Sequence, residues 1–170
     1  MNIFGKPKTE SNIKRSKYFS DKLHSNRLIT IDGAINILTR GSLIKVPSTT
    51  IVSDIDEVLI NDDRFEYVKL SNRDRLLYDV TNDIFYYMCY HSNDSNRQNV
   101  TQDEIIISDN SSDYIFSSCT DVMESDTNEL YRIYNRQIAP ETDEYLFVIV
   151  DKNMTEHYWL SVILQPSMIG

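Results

Sequence analysis

Apolar and aromatic residues cluster into short runs separated by Asn, Asp and Ser, a spacing that predicts strands joined by polar reversals. The strongest pattern lies near the C-terminus. Tyr145–Val150 is a run of six apolar residues, Tyr158–Leu164 is a second run, and the turn-prone Asp151–His157 between them predicts a hairpin. Its first strand is apolar on both faces, so it belongs inside a sheet with a cover on each side. Phe65–Leu70, Arg75–Val80 and Ile84–Tyr90 predict a three-stranded meander whose last strand is again apolar throughout. Glu104–Ser108, Tyr114–Ser117 and Leu130–Tyr134 predict further strands. Ser42–Val46 predicts a short one stopped by Pro47, because the residue before proline is pushed to extended geometry.

Other segments are less decided. Leu28–Ile31 precedes Asp32–Gly33, and Ala34–Leu38 then fits either the return strand of a hairpin or an amphipathic helix. Residues 51–60 fit strand or helix periods, with a lean to strand. His91–Asp103 is polar and aperiodic and predicts a mobile surface loop. Ser11 could cap a short helix with a thin apolar face. The expected fold is therefore α+β and β-rich. Residues 1–27 form a flexible basic N-terminal arm or short helix, and residues 28–170 form a single domain on a mainly antiparallel sheet, a meander plus the C-terminal hairpin. Four Gly and four Pro stand against fourteen Asn and seventeen Asp, so reversals must use Asn and Asp, in loops longer than two residues.

Charge divides the chain. Residues 1–27 carry seven Lys or Arg against two acids, a net +5, and residues 28–170 carry ten against twenty-four, a net −14. An acidic body repels nucleic-acid phosphates and anionic lipid and steers a basic protein partner toward it; membrane contact is left to the arm. No run approaches the eighteen apolar residues of a membrane helix, and the first residues lack the apolar stretch of a signal peptide. With two cysteines that form no metal-ligand spacing, Cys89 and Cys119, a reducing cytoplasmic location is expected.

Candidate chemistry is sparse. Cys89 and His91, two apart on a strand, could share a face as nucleophile and base, yet Cys89 sits in an apolar run where a thiol is ordinarily a small core hydrophobe. Asp54, Asp56, Glu57, Asp62 and Asp63 form the densest run of acid. They lack the glycine of a calcium loop, so they are read as a binding surface for a basic partner rather than as metal ligands. No His/Cys set has zinc spacing and no Gly-rich loop can cradle a phosphate, so neither metal nor cofactor is expected. Tyr86, Tyr87, Tyr90, Tyr114, Tyr131, Tyr134, Tyr158 and Trp159 suit either a core or an interface.

The order of segments resembles the YjfK-like family of uncharacterised bacterial cytoplasmic proteins. The resemblance rests on Leu28-Ile29-Thr30-Ile31-Asp32-Gly33, on the block from Ile51-Val52 through Tyr86-Tyr87 to Tyr90, and on the hairpin Tyr145–Leu164. It implies an accessory role beside membrane-remodelling, stress-response proteins, and it carries over no functional residue. Three functions follow as expectations: a non-enzymatic accessory protein binding a basic protein, an immunity protein neutralising a basic toxin, or a cysteine-dependent enzyme using Cys89 with His91 or His157.

Overall fold

The computed structural model describes residues 28–31, 43–92, 97–101, 103–109 and 112–170. The proposed arm, its short helix and the Ala34–Leu38 segment lie outside them. Among the described residues twelve antiparallel strands make one sheet: β1 (Leu28–Thr30), β2 (Thr49–Ile60), β3 (Asp63–Leu70), β4 (Arg75–Asp79), β5 (Ile84–Ser92), β6 (Arg97–Thr101), β7 (Glu104–Asp109), β8 (Ser112–Ser118), β9 (Met123–Glu124), β10 (Leu130–Ala139), β11 (Thr142–Val150) and β12 (Glu156–Leu164). Their order is β1-β2-β3-β4-β5-β12-β11-β10-β8-β7-β6, with β9 beside β10. The only helical element among the described residues is a 3-10 turn at Pro166–Met168, so the α part of the expected α+β fold has no counterpart there.

The meander and the C-terminal hairpin are present, and β5 joins them by pairing with β12. These strands hold the core because they are apolar on both faces. One face, the first, carries Phe85 and Tyr87 of β5, Leu146 and Val148 of β11, and Leu160 and Val162 of β12. The second carries Tyr86 and Met88, Phe147 and Ile149, and Trp159. Each such side chain, fully buried, stabilises the fold by about 1.5–3 kcal/mol, which the chain gains only if both faces are covered.

The covers come from distant segments. Ile29 of β1, Ile44, Val46, Ile105 and Ile107 of β7, and Phe116 of β8 close the first face. Val58, Ile60, Phe65, Met123, Tyr131 and Ile133 close the second. The β2–β3 tip is clamped there against the β9–β10 turn. Asn61 N–H donates to Glu124 C=O at 3.0 Å, Asp126 N–H to Leu59 C=O at 2.9 Å, and Leu59 N–H to Asp126 Oδ1 at 3.2 Å. Strand β2 serves both covers because its register against β3 slips between Val52 and Asp54. The extra residue, Ser53, flips the alternation, so Val52 and Ile55 pack on the first face while Val58 and Ile60 pack on the second. That bulge is why residues 51–60 fit neither period from sequence, although they form one strand.

Three expectations need correction. Within His91–Asp103, residues 93–96 and 102 lie outside the described residues, but much of the rest is strand: β5 runs to Ser92, and β6 pairs with β7 through Arg97↔Ile107 and Asn99↔Ile105, the ladder supplying order that an aperiodic polar sequence does not advertise. Residues 43–47 are in no strand, since Leu43 and Ile44 give their N–H groups to Glu144 Oε2, at 3.0 and 3.3 Å, instead of to a neighbouring ladder. Two-residue reversals also occur: Asn61 and Asp62, at φ 50° and 67°, both take the left-handed conformation that a tight hairpin needs, which Asn and Asp tolerate without glycine.

Glu144 is fully buried, and its Oε1 pairs with Arg136, its cross-strand neighbour on β10, at 2.9 Å. Removing one partner of such a pair strands a buried charge. Glu144→Ala is expected to lower unfolding free energy by about 3–5 kcal/mol in urea melts, and replacing Arg136 and Glu144 together by Met and Leu to cost much less. Both variants should accelerate hydrogen exchange at the Leu43 and Ile44 amides, which lose their acceptor either way.

Candidate functional site

The five acids singled out from sequence lie on β2 and its turn, but they do not converge. Asp54 and Asp56 share the second face of β2, opposite Lys69 and Tyr67. Glu57 points the other way, opposite Glu66, and is held by Arg64 through a two-pronged contact at 2.6 and 2.8 Å. Asp62 is exposed at the hairpin tip, and Asp63 opens β3, where its charge is felt by Asp79. Among the described residues no group of three or more His, Cys, Asp or Glu side chains is arranged to hold a metal ion.

What Asp54, Asp56 and Glu57 share is an edge. β1 pairs with β2 only over Thr49–Ile51, and Asp126 occupies Leu59. Leu59 directs its N–H and C=O away from β3, so the alternation of an antiparallel ladder turns the main chain of Glu57 and Ile55 outward as well. Among the described residues no strand pairs with this stretch; the Ile55 N–H meets only the Asp54 carboxylate, at 2.9 Å.

Beside this edge lies a cleft of about 510 Å³. Asp56, Val58, Tyr67, Lys69 and Arg75 form one wall, and Thr127, Glu129 and Tyr131 of the clamped β9–β10 turn form the other. Burial pushes the Tyr67 phenol up; Arg75 opposes that by charge and by a hydrogen bond, while Glu129 and Asp56 reinforce it. Both carboxylates therefore act on the same hydroxyl. Tyr131 donates its own hydroxyl to Glu129 Oε2 at 3.2 Å. Arg75 lies between this cleft and a second one of about 340 Å³ lined by Arg73, Arg75, Tyr90, His157 and Trp159. Sequence reasoning missed Tyr67, Lys69, Arg75 and Glu129, whose only local signal was an isolated charge or ring within a strand run.

Of the eight aromatics, Tyr86, Tyr87, Tyr131, Tyr134, Tyr158 and Trp159 are core, and Tyr90 and Tyr114 are half-buried. The cysteines sit in environments that suppress reactivity. Burial first, then the charge of Asp74, pushes the Cys89 thiol up to about 12, and it donates to Lys45 C=O at 3.1 Å. His91 is the extra residue at a register slip between β5 and β12, which removes it from simple same-face alternation with Cys89. Cys119 is exposed, yet partial burial of its sulfur and then the charge of Asp143 push its thiol up to about 11, and it contacts Ile133 C=O at 3.3 Å. A thiolate nucleophile needs the opposite, an electropositive and partly open setting.

No family model, curated protein or solved structure matches the chain. Among the described residues no helix is long and apolar enough to cross a membrane.

Asp79 adds a pH dependence near the acidic tip. Its burial raises the carboxyl to about 6, against bonds from the Asn82 side chain and from the Asn82 and Thr81 amides, with Asp63 raising it further. Its folded value lies above the unfolded value of about 3.9, so the native state holds the proton more tightly between them. Stability from this group is complete below about pH 4 and is lost as pH rises through about 6, a change of about 2–3 kcal/mol. Urea melts from pH 4 to 7 should show that decline in the wild type and a flatter profile in Asp79→Asn, and Asp63→Asn should move the transition to lower pH.

Proposed function

We propose that this protein is a non-enzymatic binding protein that receives an extended basic segment of a partner protein along the outer edge of β2. The observation that carries the reading is the outer side of β2 between Ser53 and Glu57, with which no strand pairs among the described residues, flanked by Asp54 and Asp56. An added strand would satisfy the outward groups of Ile55 and Glu57. Its side chains on the second face would enter the 510 Å³ cleft, where Asp56 and Glu129 offer carboxylates between two tyrosine rings. The same acids disfavour pairing with a second copy of this edge, so they select for a basic partner while opposing self-association. The −14 charge of residues 28–170 speeds that encounter. An accessory role of this kind fits what the YjfK-like resemblance implies, and both free thiols suit a cytoplasmic setting.

A peptide of alternating Lys and Val is the probe. Binding should protect the Ile55 and Glu57 amides from hydrogen exchange and weaken as salt is raised. Asp54→Asn with Asp56→Asn should reduce affinity about three- to tenfold, as expected for two exposed charges. Asp62→Asn with Asp63→Asn, remote from the edge, should slow association and leave those protections in place. Binding without protection at Ile55 and Glu57, or with undiminished affinity in the Asp54/Asp56 variant, would sink the reading.

A further inference from the structure

The second cleft shares Arg75 with the cleft beside the β2 edge, and its other lining residues are its own. We infer that the cleft lined by Arg73, Arg75, Tyr90, His157 and Trp159 binds a small planar anion, an aromatic ring carrying a phosphate or a carboxylate. Its charge is the first argument. Residues 28–170 carry −14, yet two guanidiniums line this one hollow of about 340 Å³, which is the size of a small-ligand pocket. An anion repelled by the rest of the surface has a local reason to settle here.

The backbone is the second. Arg73 has φ 72°, the left-handed region that L side chains other than Asn and Asp rarely adopt. Among the described residues Asn61, Asp62, Asp83 and Asn128 also take this conformation, and Arg73 shares it with two further residues that are neither Asn nor Asp, Glu141 and Met154. The turn is fixed around it: Asn72 Oδ1 accepts from Asp74 N–H at 3.1 Å, and Arg75 Nη1 donates to the carbonyls of Arg73 and Asp74 at 2.9 Å each. The Arg73 side chain is exposed and meets no carboxylate among the described residues. The turn thus holds the Arg73 main chain in place and leaves its side chain exposed at the rim of the cleft.

The walls supply the rest. Tyr90 meets Trp159 edge-on at 4.8 Å, Arg75 lies over the Trp159 ring at 5.3 Å, and His157 is tied to Asp151 at 3.1 Å. The rings are thus oriented before any ligand arrives. The free Arg73 guanidinium can take two oxygens of a phosphate or carboxylate in parallel, while the aromatic walls accept a planar ring.

Trp159 is the single tryptophan and lines this cleft, so its indole N–H resonance is an unambiguously assigned probe there. Titration with phenyl phosphate or benzoate should move that resonance saturably, while phenol and inorganic phosphate, each lacking half of the recognised group, should bind at least about tenfold more weakly, the loss expected for one missing charged or stacking contact. Arg73→Gly should weaken phenyl phosphate about tenfold or more and leave the thermal midpoint unchanged or raised, because glycine relieves the left-handed strain. A merely structural arginine would give the reverse, a lower midpoint with binding retained. Undiminished binding in Arg73→Gly, equal binding of phenol or inorganic phosphate, or no saturable shift with any probe overturns the inference.

Discussion

Three adjacent strands, β5, β12 and β11, present large apolar side chains to both sides, and the rest of the fold is arranged to keep both sides dry. An antiparallel sheet usually needs one cover. Here the chain makes two, from segments flanking the same centre: β1, residues 43–46 and the β7–β8 hairpin over the first face, and the β2–β3 tip with β9 and the start of β10 over the second. Neither cover is an independent layer. Both are ends of the one sheet, and the Asn61–Glu124 and Leu59–Asp126 bonds hold the second in place. The bulge at Ser53 lets β2 contribute to both. One consequence is that, among the described residues, no strand pairs with the middle of β2 on its outer side.

The centre of this arrangement was legible in the sequence because burial on both faces leaves a continuous apolar run. Tyr145–Val150, Tyr158–Leu164 and Ile84–Tyr90 could hardly be anything but inner strands. The covers were harder to read. Ile44 and Val46 are buried, but what holds Ile44 is a carboxylate 100 residues away, and no local pattern encodes that partner. Strand β6 is polar and takes its order from pairing with Ile105–Ile107. Residues 51–60 concealed a strand because one inserted residue destroys a period-two pattern while the backbone remains extended.

Composition located acid but not its arrangement. Asp54, Asp56 and Glu57 were visible as a run, whereas alternation sends Glu57 to the opposite face, where Arg64 occupies it. The cleft beside Asp56 depends on Glu129 and Tyr131, brought near by contacts across 67 positions of sequence. Its mixed charge, with Lys69 and Arg75 facing Asp56 and Glu129, could not be inferred from a net charge at all. Cys89 illustrates the converse. A thiol and an imidazole two residues apart look like neighbours on an ideal strand, and a single register slip at His91 together with burial of the sulfur is enough to part their environments.

Scarcity of glycine ties these observations together. Among the described residues seven non-glycine residues take positive φ, four of them Asn or Asp, and they stand at reversals that limit the movement of what they connect. Asn61 and Asp62 form the tip clamped over the second face. Asn128 belongs to the turn that supplies Thr127 and Glu129 to the larger cleft, and Arg73 to the turn that rims the smaller one. Asn and Asp occupy this conformation by hydrogen-bonding their own backbone, which restricts a loop where glycine would loosen it. Both clefts are thus bounded by turns with little freedom to rearrange, and a ligand that fits them meets walls already in position, which lowers the ordering cost of binding.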